Sequence, residues 1–177
     1  LETRKCSSAA ELAKSIFDIF PQGFDAIGIG CPNANHLNGD VISPPNLNWG
    51  NFNLQSLFKE HYSCPVFTSN DANTRTLAEK YFGLAKEDQD FCVITLGTGL
   101  GSGFFVNGNL LLGSFGTAGE AGHITIHPNG WPCNCGGKGH FESYVSSYGL
   151  LNSFADDRAS TVKDIFEFAK AGDEKAV

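Results

Sequence analysis

Hydrophobic positions recur at helical spacing in some segments of the chain and form strand-like runs in others. The first segment places apolar residues three and four positions apart, at Leu12, Ala13, Ile16, Phe17 and Phe20. This spacing predicts a helix with one buried face. Ser8 and Glu11 form a capping-box pattern at its start, and Pro21 and Gly23 end it.

The same alternation of elements continues along the chain. Apolar runs and helical spacing predict strands over 25–31 and 65–69, and helices over 54–61, 73–83, 142–148 and 162–171. Three strands are expected within 90–112, and Asn107-Gly108, a dipeptide typical of tight hairpins, joins the last two. Strands that alternate with helices indicate an α/β fold with a mixed sheet.

A polar segment rich in Asn and Pro, residues 33–53, follows the first strand. It is longer than an ordinary connection, so it is a candidate binding loop. Amide side chains both donate and accept hydrogen bonds, which suits the neighbouring hydroxyls of a sugar. Trp49 could stack on a sugar ring, although a partly buried Trp in the core is the simpler interpretation.

Composition narrows the classes of function. The chain has 177 residues with a formal net charge of −7, so its surface as a whole repels nucleic acid and anionic membranes. No apolar run approaches the roughly 20 residues that span a bilayer. Six cysteines, three of them in or beside apolar runs, favour a reducing cytoplasmic setting over a disulfide scaffold. Because the sequence contains no Met, we expect it to be a fragment.

Residues 119–142 hold the most distinctive chemistry. His123, Cys133, Cys135 and His140 have the spacing H-x9-C-x-C-x4-H. Two thiolates and two imidazoles suit tetrahedral Zn²⁺, and a full set of four protein ligands indicates a structural site. The alternative is that the cysteines are incidental. His127 competes as a ligand, because on a strand it would share a face with His123.

Two further segments could act on a substrate. Asp71 follows a predicted strand and opens a helix, where a carboxylate can accept a proton from a hydroxyl group. The simpler alternative is that Asp71 or Asn70 only caps that helix. Residues 95–103, TLGTGLGSG, alternate glycine with small residues, which lets backbone N–H groups approach a phosphate. The alternative there is a glycine-rich hairpin turn.

Glu120 and Glu142 lie near the two ends of residues 119–142, the segment that holds the four candidate metal ligands and that we call the metal-type loop. A single Glu is usually a solvated surface residue, but two carboxylates on one fixed loop could bind sugar hydroxyls.

Together these segments resemble the ROK family of sugar kinases and sugar-responsive regulators (repressors, open reading frames, kinases). The motifs occur in family order across residues 24–150, as PNLNW at 45–49, NDAN at 70–73, TLGTGLGSG at 95–103, GEAGH at 119–123 and CNCGGKGHFE at 133–142. The resemblance implies an actin-like ATPase (ribonuclease H-like) α/β fold, incomplete in this chain, with a zinc-binding loop.

The resemblance also implies roles for individual residues. Asp71 would be the catalytic base that helps transfer the γ-phosphoryl group of ATP, with Mg²⁺, to a hexose or N-acetylhexosamine. Sugar contacts would come from Asn46, Asn70, Glu120, His123 and Glu142. Thr98 and Gly99 would meet the ATP phosphates. Structural zinc would be held by His123, Cys133, Cys135 and His140.

The same resemblance divides residues 1–177, a partial sugar kinase, into three segments. They are a sugar-side α/β segment at 24–70, a segment with the catalytic Asp, phosphate loop and zinc motif at 71–150, and a helical segment at 151–177. A cytoplasmic homodimer is implied, with no nucleic acid bound through this segment and no membrane.

Two departures from the family are visible. His140 stands where the family has its third zinc cysteine, and the N-terminal D-x-G-G-T phosphate loop is missing. We therefore expect this chain alone to be inactive. The alternatives to a kinase are a sugar-responsive transcriptional regulator of the same family and a zinc-stabilised carbohydrate-binding module. An intact NDAN favours the kinase, because a sensor does not need the base.

Overall fold

The computed structural model describes residues 3–44 and 47–177. Its helices are α1 Ala9–Ile19, α2 Leu54–Lys59, α3 Asp71–Tyr81, α4 Glu142–Val145, α5 Ser147–Phe154 and α6 Val162–Lys170. Its strands are β1 Ile27–Gly30, β2 Asp40–Val41, β3 Phe52–Asn53, β4 Val66–Ser69, β5 Phe91–Leu96, β6 Leu100–Val106 and β7 Asn109–Leu110. Within the described residues, no helix is both long enough and apolar enough to span a membrane.

The chain forms two compact units. The first comprises Leu1–Phe91 and Phe104–Ala118, and the second comprises Cys92–Gly103 and Gly119–Val177. This division runs differently from the segments 24–70, 71–150 and 151–177, because the middle segment contributes to both units.

In the first unit, strands β1 and β4 pair in parallel, with Ile27 opposite Val66 and Gly30 opposite Ser69. Parallel neighbours require a crossover connection, and α2 supplies the helix of that connection. The core between the strands and helices α1 and α2 is built from Ala13, Ala34, Val41, Leu54, Phe58, Tyr62 and Val66. Residues that directly follow β1 and β4 therefore meet at one edge of this sheet.

Helix α1 is confirmed, but its capping differs from the predicted box. The Ser8 hydroxyl accepts a hydrogen bond from the Glu11 N–H at 3.2 Å, as predicted. The Glu11 carboxylate, however, accepts from the backbone N–H and hydroxyl of Ser7, at 2.7 and 2.6 Å. It thus reaches one residue beyond the N-cap, and these two bonds hold the pKa of Glu11 below its usual value.

The polar segment 33–53 is more ordered than its composition suggests. It contains the antiparallel pair β2–β3, and Val41 within it is fully buried. Pro45 and Asn46 lie outside the described residues, so the predicted sugar contact of Asn46 stays a prediction.

The third sheet has the order β5-β6-β7. The hairpin at Asn107-Gly108 is confirmed: both residues have positive φ, 50° and 73°, as a tight two-residue turn requires.

In the second unit, the single helix predicted over 142–148 is wrong. Ser146 has an extended backbone with ψ of 168°, which separates α4 from α5. Its hydroxyl accepts a hydrogen bond from the Gly149 N–H, so Ser146 ends one helix and caps the next. The last predicted helix is confirmed as α6, with a full capping box formed by Thr161 and Asp164.

Candidate functional site

Asn70 and Asp71 directly follow β4, and only Asn70 caps the helix that begins there. The Asn70 side chain accepts a hydrogen bond from the Ala72 N–H at 2.9 Å, so Asn70 is the N-cap of α3. Asp71 is the first helical residue and is exposed. No other side chain or backbone group within residues 3–44 and 47–177 hydrogen-bonds or ion-pairs with its carboxylate. Asp71 is therefore available to accept a proton from a bound hydroxyl.

Cys31 is a neighbour of this carboxylate. It is one of the three cysteines in or beside apolar runs, and from the sequence we expect it only to be a small buried apolar residue. Burial raises the pKa of the Cys31 thiol, and the charge of Asp71 raises it further. The Cys31 N–H also donates to the Ser69 carbonyl at 3.0 Å. The available signal was topological: Cys31 follows β1 as Asn70 follows β4, and parallel strands end at the same edge.

The glycine loop between β5 and β6 belongs to the second unit. Its backbone is held from both sides. The Gly97 carbonyl accepts from both the N–H and the hydroxyl of Ser147, each at 2.8 Å. The Leu100 N–H donates to Oε2 of Glu142 at 2.8 Å. A Cβ atom at Gly99 would overlap that same carboxylate oxygen, whereas one at Gly97 would meet nothing within 4 Å.

Four side chains with metal-binding atoms converge in the second unit. His123, Cys133, Cys135 and His140 each offer one such atom, and these atoms all lie within 4.8 Å of one another. Cys135 Sγ lies 3.1 Å from Nδ1 of His140, and Cys133 Sγ lies 3.9 Å from Nδ1 of His123. Zinc bond lengths of about 2.0–2.3 Å place tetrahedral ligands roughly 3.3–3.8 Å apart, so this group fits zinc after small side-chain movements.

Tight backbone turns bring the four residues together. The Cys133 N–H donates to the Gly137 carbonyl and the Gly136 N–H to the Cys133 carbonyl, both at 2.9 Å. Gly136 and Gly139 have positive φ of 93° and 67°, a conformation that other residues adopt at a cost. The isolated bridge between Thr125 and His140 then brings the second histidine alongside.

His127 lies outside this group. Its ring stacks on Tyr144 with 6.4 Å between the centroids, and its carbonyl accepts from the Gly130 N–H. The argument that His123 and His127 share a strand face does not apply, because His123 ends a 3₁₀ turn, Ala121–His123.

Glu142 lies beside both the metal-type group and the glycine loop. Its Oε1 atom is 3.7 Å from Cys133 Sγ, which donates to it, while its Oε2 accepts from Leu100. Burial is the main cause that raises the pKa of the Cys133 thiol. A bound cation would act in the opposite direction and favour the thiolate.

Glu120 is exposed and precedes the 3₁₀ turn, and its carbonyl accepts from the His123 N–H at 3.1 Å. Ser102 fixes the start of that turn, since its hydroxyl accepts from the Ala121 N–H and donates to the Gly119 carbonyl. Among the predicted site residues, the second unit thus contains Thr98, Gly99, Glu120, Glu142 and the four metal-type ligands. Asn70 and Asp71 belong to the first unit.

Comparison with known proteins identifies relatives of two kinds. The model of the ROK family matches residues 10–177. The xylose repressor of Bacillus spizizenii is 36% identical over 154 residues, which cover 86% of this chain and 40% of the repressor. The glucokinase of Halalkalibacterium halodurans is 35% identical over 169 residues, covering 85% of this chain and 51% of the glucokinase.

A solved structure shows the same fold. The ROK family glucokinase from Streptomyces griseus, in complex with glucose and AMPPNP, superposes with a TM-score of 0.77 at 29% identity. The match covers 97% of this chain and 63% of that one. The chain spans about half the length of the curated relatives that it matches.

Proposed function

The chain belongs to the ROK family, and from that premise we propose that the complete protein transfers a phosphoryl group from ATP to a hydroxyl group of a hexose. The observation that supports this most is the state of Asp71. Asn70 supplies the helix cap, and the exposed Asp71 carboxylate remains available. A regulator that only binds a sugar does not need such a base.

The reaction would use Asp71 as its general base. The hydroxyl oxygen of the sugar forms a bond to the γ-phosphorus of ATP, and the bond between that phosphorus and the oxygen of ADP breaks. Asp71 accepts the hydroxyl proton, a contribution typically worth about 10²–10⁴ in rate. Mg²⁺ would offset the charge that develops on the phosphate oxygens.

Sugar binding is assigned to polar side chains of the PNLNW and NDAN motifs and of the metal-type loop. Asn46, Asn70, Glu120, His123 and Glu142 would contact hydroxyl groups of a hexose or an N-acetylhexosamine. Amides and carboxylates suit this task, because each sugar hydroxyl both donates and accepts. The glycine loop would meet the ATP phosphates through Thr98 and Gly99, where a lack of side chains lets the backbone approach.

Zinc is proposed for the group of His123, Cys133, Cys135 and His140. Their donor set and spacing support it. When bound, zinc would supply a rigid tetrahedral centre that fixes the loop carrying Glu120 and Glu142. The role is structural, since all four positions would be taken by the protein.

A sugar-responsive transcriptional regulator is the second candidate. It is favoured by one specific observation: xylose repressors match this chain at 36% identity, as closely as the glucokinases do. In that case the sugar site would be retained and the carboxylate of Asp71 would serve binding alone.

A coupled assay of ADP release from the complete protein, with a panel of hexoses, separates the two. We expect sugar-dependent ADP release that disappears in Asp71→Asn, while sugar binding persists. Asp18→Asn is the matched control, because Asp18 is an exposed carboxylate of α1. Sugar binding without turnover in the unaltered protein would rule out the kinase and favour the regulator.

A further inference from the structure

The negatively charged carboxylate of Glu142 accepts a hydrogen bond from a backbone N–H group of the glycine loop. Its Oε2 atom accepts the Leu100 N–H at 2.8 Å, across 42 positions of sequence. The same oxygen stands against Gly99, where even a methyl group would collide with it. A carboxylate, the same kind of acceptor as a phosphate oxygen, therefore fills the centre of this loop.

Two anions cannot use one backbone donor at the same time. A phosphate that approaches Gly99 would meet both a filled N–H group and the repulsion of a carboxylate at close range. The proposed function assigns phosphate to this loop and hexose to Glu142. These two assignments compete in the structure as it stands.

We propose that Glu142 couples the two substrates, by closing the glycine loop to phosphate until a hexose draws its carboxylate away. This rests on the proposed function, from which it takes the ligands of Glu142 and of the loop. Hydroxyl groups of the sugar donate to the Glu142 carboxylate and replace the Leu100 N–H as its partner. The freed N–H then faces the phosphate, so nucleotide binds well only after the sugar.

The coupling must be reciprocal. If hexose raises the affinity for nucleotide by some factor, nucleotide raises the affinity for hexose by the same factor. Because the contact with Leu100 is one charge-assisted hydrogen bond, we expect a factor of about five or more. Wasteful hydrolysis of ATP, in which water instead of a sugar hydroxyl takes the γ-phosphoryl group and ADP leaves, would be suppressed by the same contact.

The test is calorimetric binding of Mg²⁺-AMPPNP to the complete protein, with and without glucose. We expect glucose to tighten binding of the analogue to the unaltered protein by about five-fold or more. Glu142→Ala and Glu142→Gln should bind the analogue more tightly than the unaltered protein in the absence of glucose, and glucose should add little. Two variants are used because Gln retains the shape of the side chain if Ala perturbs α4.

Charge and loop opening are separated by two further measurements. Asp157→Asn removes an exposed carboxylate of the same unit that has no part in the proposed site, so it should leave the sugar-free affinity for AMPPNP near that of the unaltered protein. Hydrogen exchange at the Leu100 amide should be slow without ligand and should accelerate when glucose alone is added. An equal gain in affinity in Asp157→Asn, unchanged or weaker binding in both Glu142 variants, or a Leu100 amide that stays protected with glucose bound would each overturn the proposal.

The binding and exchange measurements test the role of Glu142 separately from the assay of ADP release, which tests the kinase. Turnover without coupling would contradict the role of Glu142 alone, and coupling without turnover would contradict the kinase while the role of Glu142 stands.

Discussion

Gly139 is a residue of the metal-type loop that has no room for a side chain. Its φ is +67°, and a Cβ atom there would overlap the backbone carbonyl of His127. Its N–H donates to the Trp131 carbonyl at 2.7 Å, and its own carbonyl accepts from Ile126. A backbone obstacle cannot rotate away as a side chain can, so strain and steric overlap act together here.

We predict that Gly139→Ala lowers the free energy of unfolding well beyond the roughly 1–3 kcal/mol of a strained backbone position alone. Gly136→Ala is the matched control, because Gly136 also has positive φ, 93°, but has open space where its Cβ would lie. Urea unfolding of both variants measures the difference. Equal destabilisation would show that the carbonyl of His127 is not a fixed obstacle.

His140 is the residue that departs from the family motif. Cys135 Sγ lies 3.1 Å from its Nδ1 atom. This is close to the roughly 3.3–3.8 Å that separates tetrahedral zinc ligands, so a small movement would bring the imidazole to a ligand position. We predict that His140→Ala loses zinc and that His140→Cys retains it, because thiolate is at least as good a zinc ligand as imidazole.

Competition with a chromogenic chelator measures this affinity, with metal analysis for stoichiometry. His127→Ala serves as control and should leave both values unchanged, since the ring of His127 packs on Tyr144. If zinc were retained in His140→Ala but lost in His127→Ala, His127 and not His140 would be the zinc ligand.

At the scale of elements, Arg158 links helix α6 and the residue Asp173 that follows it to the turn that precedes the helix. Its guanidinium reaches Asp156 at 2.8 Å and Asp173 at 2.7 Å, and it lies over the ring of Phe168 at 5.0 Å. The side-chain hydrogen bonds from Arg158 hold the pKa values of Asp156 and Asp173 below the usual range.

This lowered pKa predicts how stability depends on pH. A carboxylate with a lowered pKa in the folded state contributes stability that is complete above its unfolded pKa, roughly 3.9, and is lost as pH falls toward the lower folded value. We therefore expect the free energy of unfolding to fall below about pH 5, and the fall to be shallower in Arg158→Gln.

Urea unfolding at a series of pH values from 6 to 3 tests this, in steps of about half a unit. Arg75→Gln is the control, since Arg75 is an exposed arginine of α3 in the other unit. Parallel pH curves for Arg158→Gln and the unaltered protein would contradict the prediction.

Elements whose signals are local could be predicted from the sequence. Asn107-Gly108 specifies its turn because both residues tolerate positive φ, and Thr161 with Asp164 specifies the start of α6. The break between α4 and α5 was missed. Ser146 satisfies the N–H of Gly149 better as a cap than as an interior residue, and apolar spacing does not detect that competition.

At the scale of the whole molecule, the candidate site likewise has parts that local sequence signals predict and parts that they do not. The proximity of His123, Cys133, Cys135 and His140 follows from turns within one short loop, so their spacing was informative. The contact of Glu142 with Leu100 joins the first residue of α4 to the first residue of β6, 42 positions away, and only the folded chain brings it about. The sequence likewise could not tell which of Asn70 and Asp71 caps α3, because both residue types are good caps.

Division into two units predicts that zinc acts on only part of the molecule. All four metal-type ligands belong to the second unit, whereas the core of Val41, Phe58 and Val66 belongs to the first. Removal of zinc by a chelator should therefore accelerate amide exchange in peptides that cover 119–142, while peptides from α1 and α2 keep their protection. His140→Ala should show the same local pattern without a chelator. A uniform loss of protection across both units would mean that the metal supports the fold of the whole chain, and an unchanged exchange pattern would mean that the loop keeps its shape without metal.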